Sequence, residues 1–308
     1  MPCAVARTGN TISACMATEK SSSPPIDHRR KILITGAGGL LGRHATRWFA
    51  ERYDVIAAHR EDMDLTDALT VRRWIAEHRP DVIINCAALS NVDMCEREPA
   101  RAFAVNAEGA YHLALAANEV GAELVHLSTD YVFDGKKRTP YTIDDEPRPI
   151  NVYGRSKLEG EKLVRQALPR HYIVRIARLF GRGGRNFASA LLDLARREGR
   201  LLAIVDEIGS PTYVMDLIER LDEIIRCGRY GTYHVTNEGA CSWYEFALTA
   251  LQLAGLRGVV IEKVNSADLD RPARRPPYTV LRCLLSERLG WTPLRPWPQA
   301  YAAFISEG

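Results

Sequence analysis

A short apolar strand that runs straight into a glycine turn and then a helix constrains this chain more than any other feature. Lys31-Ile32-Leu33-Ile34-Thr35 has strand length, and Gly36-Ala37-Gly38-Gly39-Leu40-Leu41-Gly42 follows it. A helical stretch from Leu40 to Arg52 begins inside that turn. Leu41 breaks the G-x-G-x-x-G spacing, but Gly36, Gly39 and Gly42 satisfy G-x-x-G-x-x-G. Glycine permits a tight turn and a close approach of backbone to phosphate. The helix start then offers free N–H groups and a positive dipole end to a pyrophosphate. In the context strand–turn–helix, this pattern points to dinucleotide binding.

The same alternation continues along the chain. Strands are expected at residues 54–58, 81–85, 123–128 and 172–176. Helices are expected from a Thr66 cap through Arg79, where Pro80 stops it, at about 99–120, and from about Asn151. The strands are near-continuous aliphatic runs rather than in-out alternations, as strands buried on both faces of a parallel sheet are. The expected fold is α/β, a doubly wound parallel (Rossmann) sheet with a smaller C-terminal substrate-binding lobe. Residues 30–177 would form the NAD(P)-binding part. Residues 178–308 would form most of the lobe, with helices near 186–197, 212–226 and 242–254 and strands at 201–205, 232–236 and 259–264, one of which could return to the main sheet. Residues 1–29, rich in Ser, Thr, Ala and Pro, have no hydrophobic period and are expected to be a disordered extension. The Arg271-Pro272-Ala273-Arg274-Arg275-Pro276-Pro277 stretch excludes helix and is expected to be an extended surface segment.

Composition removes several function classes. Of 308 residues, 46% are hydrophobic and 26% charged, which is a globular balance. A net charge of +3 gives no case for nucleic-acid or membrane-surface binding. No apolar run approaches the eighteen or so residues of a membrane span. Seven cysteines at irregular spacing, with no C-x-x-C, fit reduced thiols in a cytoplasmic protein. The eight histidines show no metal-ligand spacing, so no metal site is expected.

Three further constellations carry chemistry. At the end of the second strand, where Asp or Glu would bond an NAD ribose, stand His59 and Arg60. A guanidinium can pair with a 2′-phosphate, which favours NADPH while leaving NADH open, and Asp64-Leu65 could frame the adenine. Tyr153 and Lys157 lie at i and i+4 on one helix face, and no other tyrosine has Lys four residues on. An ammonium beside a phenol lowers its pKa, so Tyr153 is expected to donate a proton to a carbonyl near neutral pH. Ser128-Thr129-Asp130 ends the fourth strand, on the edge where open α/β sheets bind ligands, and its hydroxyls could bond a substrate carbonyl beside Tyr153.

Together these residues resemble the extended short-chain dehydrogenase/reductases, and within them the dTDP-4-dehydrorhamnose reductase family. The resemblance runs from about residue 31 nearly to the end. Its specific markers are Ser128-Thr129-Asp130-Tyr131-Val132-Phe133-Asp134-Gly135 and Asn151-Val152-Tyr153-Gly154 with Lys157. Asn85 to Asp93, Asn106, Arg178 to Gly181 with Asn186-Phe187, Gly209 to Thr212, and Arg271-Pro272-Ala273 accompany them.

The resemblance implies a catalytic trio of Thr129, Tyr153 and Lys157. It implies cofactor contacts at Gly36, Gly39, Leu40, Leu41, Gly42, Ala87, Ala88, Leu89, Ser90 and Asn106 besides Tyr153 and Lys157. Substrate contacts would fall at Ser128, Thr129, Asp130, Arg178 and Asn186, although the family often carries Trp where Arg178 stands. The implied reaction is NAD(P)H-dependent reduction of a dTDP-linked 4-keto sugar, dTDP-4-dehydro-L-rhamnose to dTDP-L-rhamnose, by a monomer or homodimer. Sugar 4,6-dehydratases follow the Thr with Asp-Glu, which Asp130-Tyr131 does not match, and epimerases carry Ser-Ser or Ser-Ala there. Two alternatives stay open: a 4-ketoreductase of another deoxysugar, and the non-catalytic NADP-binding regulatory subunit of methionine adenosyltransferase.

Overall fold

The computed structural model describes residues 30–183 and 186–306, so the expected extension at 1–29 lies outside the described residues. In chain order the first half runs β1 (Lys31–Thr35), α1 (Leu40–Ala50), β2 (Asp54–Ala58), α2 (Ala68–His78), β3 (Val82–Asn85), α3 (Val92–Arg97) and α4 (Pro99–Phe103). A π-helical turn (Ala104–Glu108), α5 (Gly109–Val120), β4 (Glu123–Thr129), α6 (Val152–Ala167) and β5 (His171–Ile176) complete it. The second half runs β6 (Leu179–Phe180), α7 (Phe187–Glu198), β7 (Arg200–Ile204), β8 (Ile208–Gly209), β9 (Thr212–Tyr213), α8 (Val214–Cys227) and β10 (Gly231–His234). It ends with β11 (Cys241–Ser242), α9 (Trp243–Leu253), β12 (Val260–Val264), α10 (Leu284–Arg288) and α11 (Trp297–Ser306).

The main sheet has strand order β10-β5-β4-β3-β1-β2, with every neighbouring pair parallel. Both of its faces are buried, and the strand period of two sorts the side chains between them. Ile32, Ile34, Val82, Ile84, Val125 and Val174 pack on one face with side chains of α1, α8, α9 and α11. Leu33, Ile83 and Leu124 point to the other, against Val71 and Ile75 of α2, Leu113 of α5 and Val164 of α6. Each such side chain contributes about 1.5–3 kcal/mol of apolar burial. The strand order reverses between β1 and β3, and in such sheets ligands bind beyond the carboxyl ends at that switch point.

Several boundaries differ from expectation for local reasons. Asp67, not Thr66, caps α2: its carboxylate accepts from the Leu69 and Thr70 amides, while Thr66 donates its hydroxyl to Asp64. The helix expected over 99–120 is interrupted by the π-helical turn that holds Asn106. The short α3 carried too little periodicity to be seen in the sequence.

The Pro-rich stretch is extended and lies at the surface, with Pro272, Arg274 and Pro277 exposed, but it is clasped to the body of the fold. Ala273 is buried, and Arg275 makes a two-pronged ion pair with Asp93 of α3, 2.7 Å on each arm. Asn151 donates to the Arg274 carbonyl at 2.8 Å, and residues 277–282 exchange backbone hydrogen bonds with Ile208 and Tyr141. The prolines that forbid a helix leave this strap free to be clasped by side chains instead. Among the described residues no helix is long and apolar enough to cross a membrane.

Candidate active site

The site begins at the switch point. Gly36 has φ +63°, and a Cβ there would lie 2.8 Å from the Ala87 N and Cα. The turn after β1 therefore touches the loop after β3 at a position only glycine can occupy. A Cβ on Gly42 would fall 2.2 Å from the Gly36 carbonyl oxygen, so the first turn of α1 lies directly on the glycine turn. No side chain caps α1 at Gly39, which leaves its first amides available to a ligand. Thr35 donates to Asn85 Oδ1 at 2.7 Å, and the same oxygen accepts from the Ala87 amide, so one side chain fixes both strand ends.

Beyond this cradle a cavity of about 290 Å³ is lined by Gly36, Gly39, His59, Arg60, Asp64, Leu65 and Ala87 to Leu89. Arg60 is exposed and lies 3.6 Å from Asp64. Hydrogen bonds from Thr66 hold the Asp64 carboxyl below the usual range. Through Gly39, Cys86 and Ala88 this cavity continues into a second of about 460 Å³. Its walls carry Leu40, Leu41, Ser90, Ser128, Thr129, Asp130, Tyr153, Lys157, Arg178 and Asn186. Except for Gly42 and Asn106, the residues expected to hold cofactor and those expected to act on substrate thus line two adjoining cavities. A separate cavity of about 390 Å³, near His234 and Trp291, includes none of them.

Local sequence explains how Thr129, Tyr153 and Lys157 come to line one cavity. Asn151 caps α6, its side chain accepting from the Gly154 amide at 2.8 Å. A Cβ on Gly154 would be 2.1 Å from the Tyr131 carbonyl oxygen, so the helix start presses onto the turn after β4. That contact brings Tyr153 to the same cavity wall as Thr129, whose hydroxyl donates to Asp130 Oδ1 at 2.9 Å. Lys157, one turn further, is buried on the same face.

The electrostatics correct one expectation. Burial pushes the Tyr153 phenol well above its ordinary value, only partly opposed by Thr129, and Asp130 adds to the rise. Burial also lowers Lys157 to about 8, against the opposing pull of Glu161. The i+4 spacing of Lys157 therefore does not by itself bring the phenol below its ordinary value; burial outweighs it. Asp130 is raised to about 6, again by burial.

Three expected contact residues have other duties. Asn106 lines neither cavity; it accepts from the Leu89 amide at 2.8 Å and donates to the Leu89 carbonyl and Ser156, holding the cofactor-side loop from behind. Ser128 donates its hydroxyl inward to Glu161 at 2.6 Å. Asn186 caps α7 and donates to the Gly181 carbonyl, so its amide is spent although it lines the cavity. Arg178 does reach the cavity wall: its guanidinium lies 4.1 Å from the Trp243 ring centre and donates to the Cys241 and Glu207 carbonyls. Trp243, Glu161 and Arg175 were not foreseen. Glu161 was detectable as a second i+4 step along the Tyr153–Lys157 face.

A parallel sheet with a glycine cradle at its switch point, and Thr, Tyr and Lys converging beside it, defines the extended short-chain dehydrogenase/reductase class. The family model described as the RmlD substrate binding domain matches residues 30–308. A dTDP-4-dehydrorhamnose reductase of Mycolicibacterium smegmatis is 42% identical over 90% of this chain and 88% of that protein. The spore coat polysaccharide biosynthesis protein SpsK of Bacillus subtilis is 39% identical over 90% of this chain and 97% of its own length. The crystal structure of dTDP-4-dehydrorhamnose reductase from Bacillus anthracis in complex with NADP superposes with a TM-score of 0.89. It is 36% identical, over 91% of this chain and all of that one. The chain belongs to the RmlD, or dTDP-4-dehydrorhamnose reductase, family.

Proposed function

We propose that this chain is a cytoplasmic NADPH-dependent reductase that converts dTDP-4-dehydro-L-rhamnose to dTDP-L-rhamnose. The observation that carries this is that Thr129, Tyr153 and Lys157 line one cavity, which adjoins the glycine cradle at Gly39. The named relatives support reduction over the role of a methionine adenosyltransferase regulatory subunit.

The cradle fits a dinucleotide: without side chains, Gly36 packs on the loop after β3 and Gly42 on the glycine turn, and the uncapped first amides of α1 would face a pyrophosphate. Arg60 would take the 2′-phosphate, while Ala87, Ala88 and Leu89 would flank the ring system. When bound, NADPH supplies the hydride. Tyr153 gives its phenolic proton to the carbonyl oxygen, and Thr129 hydrogen-bonds that oxygen. Lys157 donates to the cofactor ribose and faces the phenolate left on Tyr153. Asp130 accepts from a sugar hydroxyl, and Arg178, braced on Trp243, closes the far wall.

The test is NADPH consumption by the purified chain against a panel of nucleotide-linked 4-keto sugars. The dTDP-4-keto-6-deoxyhexulose is expected to be consumed, and Tyr153→Phe is expected to bind NADPH normally yet lose several orders of magnitude in kcat. Full activity in Tyr153→Phe refutes the proton-donor role.

A further inference from the structure

Behind the catalytic trio lies a buried charge cluster that the mechanism does not use. Glu161 is fully buried. Its Oε1 accepts from Ser128 Oγ at 2.6 Å and Arg175 Nε at 2.8 Å; its Oε2 accepts from Arg175 Nη2 at 2.7 Å and Arg165 Nη2 at 2.9 Å. These partners come from three elements: Ser128 from β4, Arg175 from β5, Arg165 from α6 itself. Ser128 immediately precedes Thr129, and Lys157 lies one helical turn before Glu161.

Resting on the proposed reduction, we propose that Glu161 is a positioning residue of this site. It ties the helix bearing Tyr153 and Lys157 to the strand bearing Thr129, and its carboxylate keeps the Lys157 ammonium charged. A carboxylate merely needed for folding would have no reason to join these two elements at the residue beside Thr129. Four hydrogen bonds fix its geometry, so a change at Glu161 is felt both on the helix that bears Tyr153 and on the strand that bears Thr129.

The electrostatic half follows from the neighbours. Lys157 faces Glu161 on its own helix, Cys86 after β3, Cys95 on α3 and His126 on β4. Burial draws the ammonium down to about 8, and Glu161 is the first-ranked influence that holds it up. Glu161 in turn faces Arg165, Arg175, Ser128, His126 and His234. Burial would raise its carboxyl, but the two arginines and Ser128 outweigh that and hold it at about 2, so it stays ionised throughout the working range.

The experiment compares full-length wild type, Ser128→Ala and Glu161→Gln by kcat and KM across pH 6–9.5, with NADPH affinity by fluorescence titration. Ser128→Ala cuts only the tie to β4. It is expected to lose about tenfold in kcat, of the order of one hydrogen bond to a charged group, with NADPH affinity and the alkaline limb unchanged. Glu161→Gln is expected to lose more in kcat and to move the alkaline limb about one pH unit lower, because the ammonium loses its partner. Wild-type kcat in Ser128→Ala, or a wild-type alkaline limb in a folded Glu161→Gln, overturns the role. Should Glu161→Gln fail to fold, Ser128→Ala decides alone. A wild type that oxidises NADPH with none of the sugars refutes the reductase function and this role with it; wild-type turnover with unaltered variants refutes this role only.

Discussion

Replacing Gly42 with Ala tests the cradle directly. The added Cβ would sit 2.2 Å from the Gly36 carbonyl oxygen and 2.8 Å from the Ala37 Cα. The first distance is roughly 1 Å short of ordinary van der Waals contact. Both atoms are backbone, so no side chain can swing aside; the start of α1 or the glycine turn must move. Overpacking of this kind costs about 1–3 kcal/mol of stability. The amides at the start of α1 move with it, and losing one hydrogen bond to a charged phosphate costs about 1.5–3 kcal/mol of binding. The NADPH dissociation constant is therefore expected to rise about 10- to 150-fold. Fluorescence titration of NADPH, alongside thermal unfolding, measures both terms. Gly199→Ala is the control without a clash: its φ is +63°, a strain that Gly42 does not share, but nothing lies within 4 Å of the new Cβ. It is expected to cost roughly 1–2 kcal/mol of stability with NADPH affinity intact. A folded Gly42→Ala chain that binds NADPH like wild type would refute the close-approach account of this turn.

Arg60→Ala is expected to raise KM for NADPH several-fold and leave KM for NADH unchanged, read by steady-state kinetics with each cofactor; equal effects on both would remove Arg60 from 2′-phosphate recognition. Acid should weaken the fold through Glu161. Its folded carboxyl titrates at about 2, below the ordinary 4.5, so its contribution is complete above pH 4.5 and is lost as pH falls towards 2. The urea midpoint is expected to drop between pH 5 and pH 3, and to drop less in Glu161→Gln; parallel curves for the two chains would contradict the linkage.

The alternation of apolar strands and helices was legible because both sheet faces are buried: every residue of β3 is apolar until Asn85, so the run announces itself. The site motifs were legible where function sits at strand ends and helix starts, as at Gly36, Thr129 and Tyr153. Contacts between distant segments were not. Asp93 and Arg275 are 182 positions apart, and nothing in either neighbourhood signals the pairing that pulls the Pro-rich strap onto α3. The direction of a hydroxyl was equally hidden: Ser128 and Thr129 are adjacent, yet one donates to Glu161 and the other to Asp130, because successive strand residues face opposite ways. Burial was the remaining blind spot. The i+4 spacing of Tyr153 and Lys157 was read correctly as one helix face, but desolvation reverses the sign of the pKa argument built on it.

That reversal bears on the direction of catalysis. A proton donor to a carbonyl must still hold its proton when negative charge begins to develop on the oxygen. Burial keeps the Tyr153 phenol neutral across the whole neutral range, so the donor form is present at every turnover. The difficulty moves to the next instant, when a buried phenolate remains. In the proposed mechanism Thr129, on the same cavity wall, and Lys157, one turn along the helix, would stabilise that anion as it forms. Stabilisation that appears with the developing charge lowers the barrier rather than the ground state. The reverse oxidation would need the phenolate as a base at the outset, against the full desolvation penalty. In the proposed reduction, the desolvated phenol is thus held in its protonated form at neutral pH, while Glu161 and Ser128 tie its helix to the strand that carries Thr129.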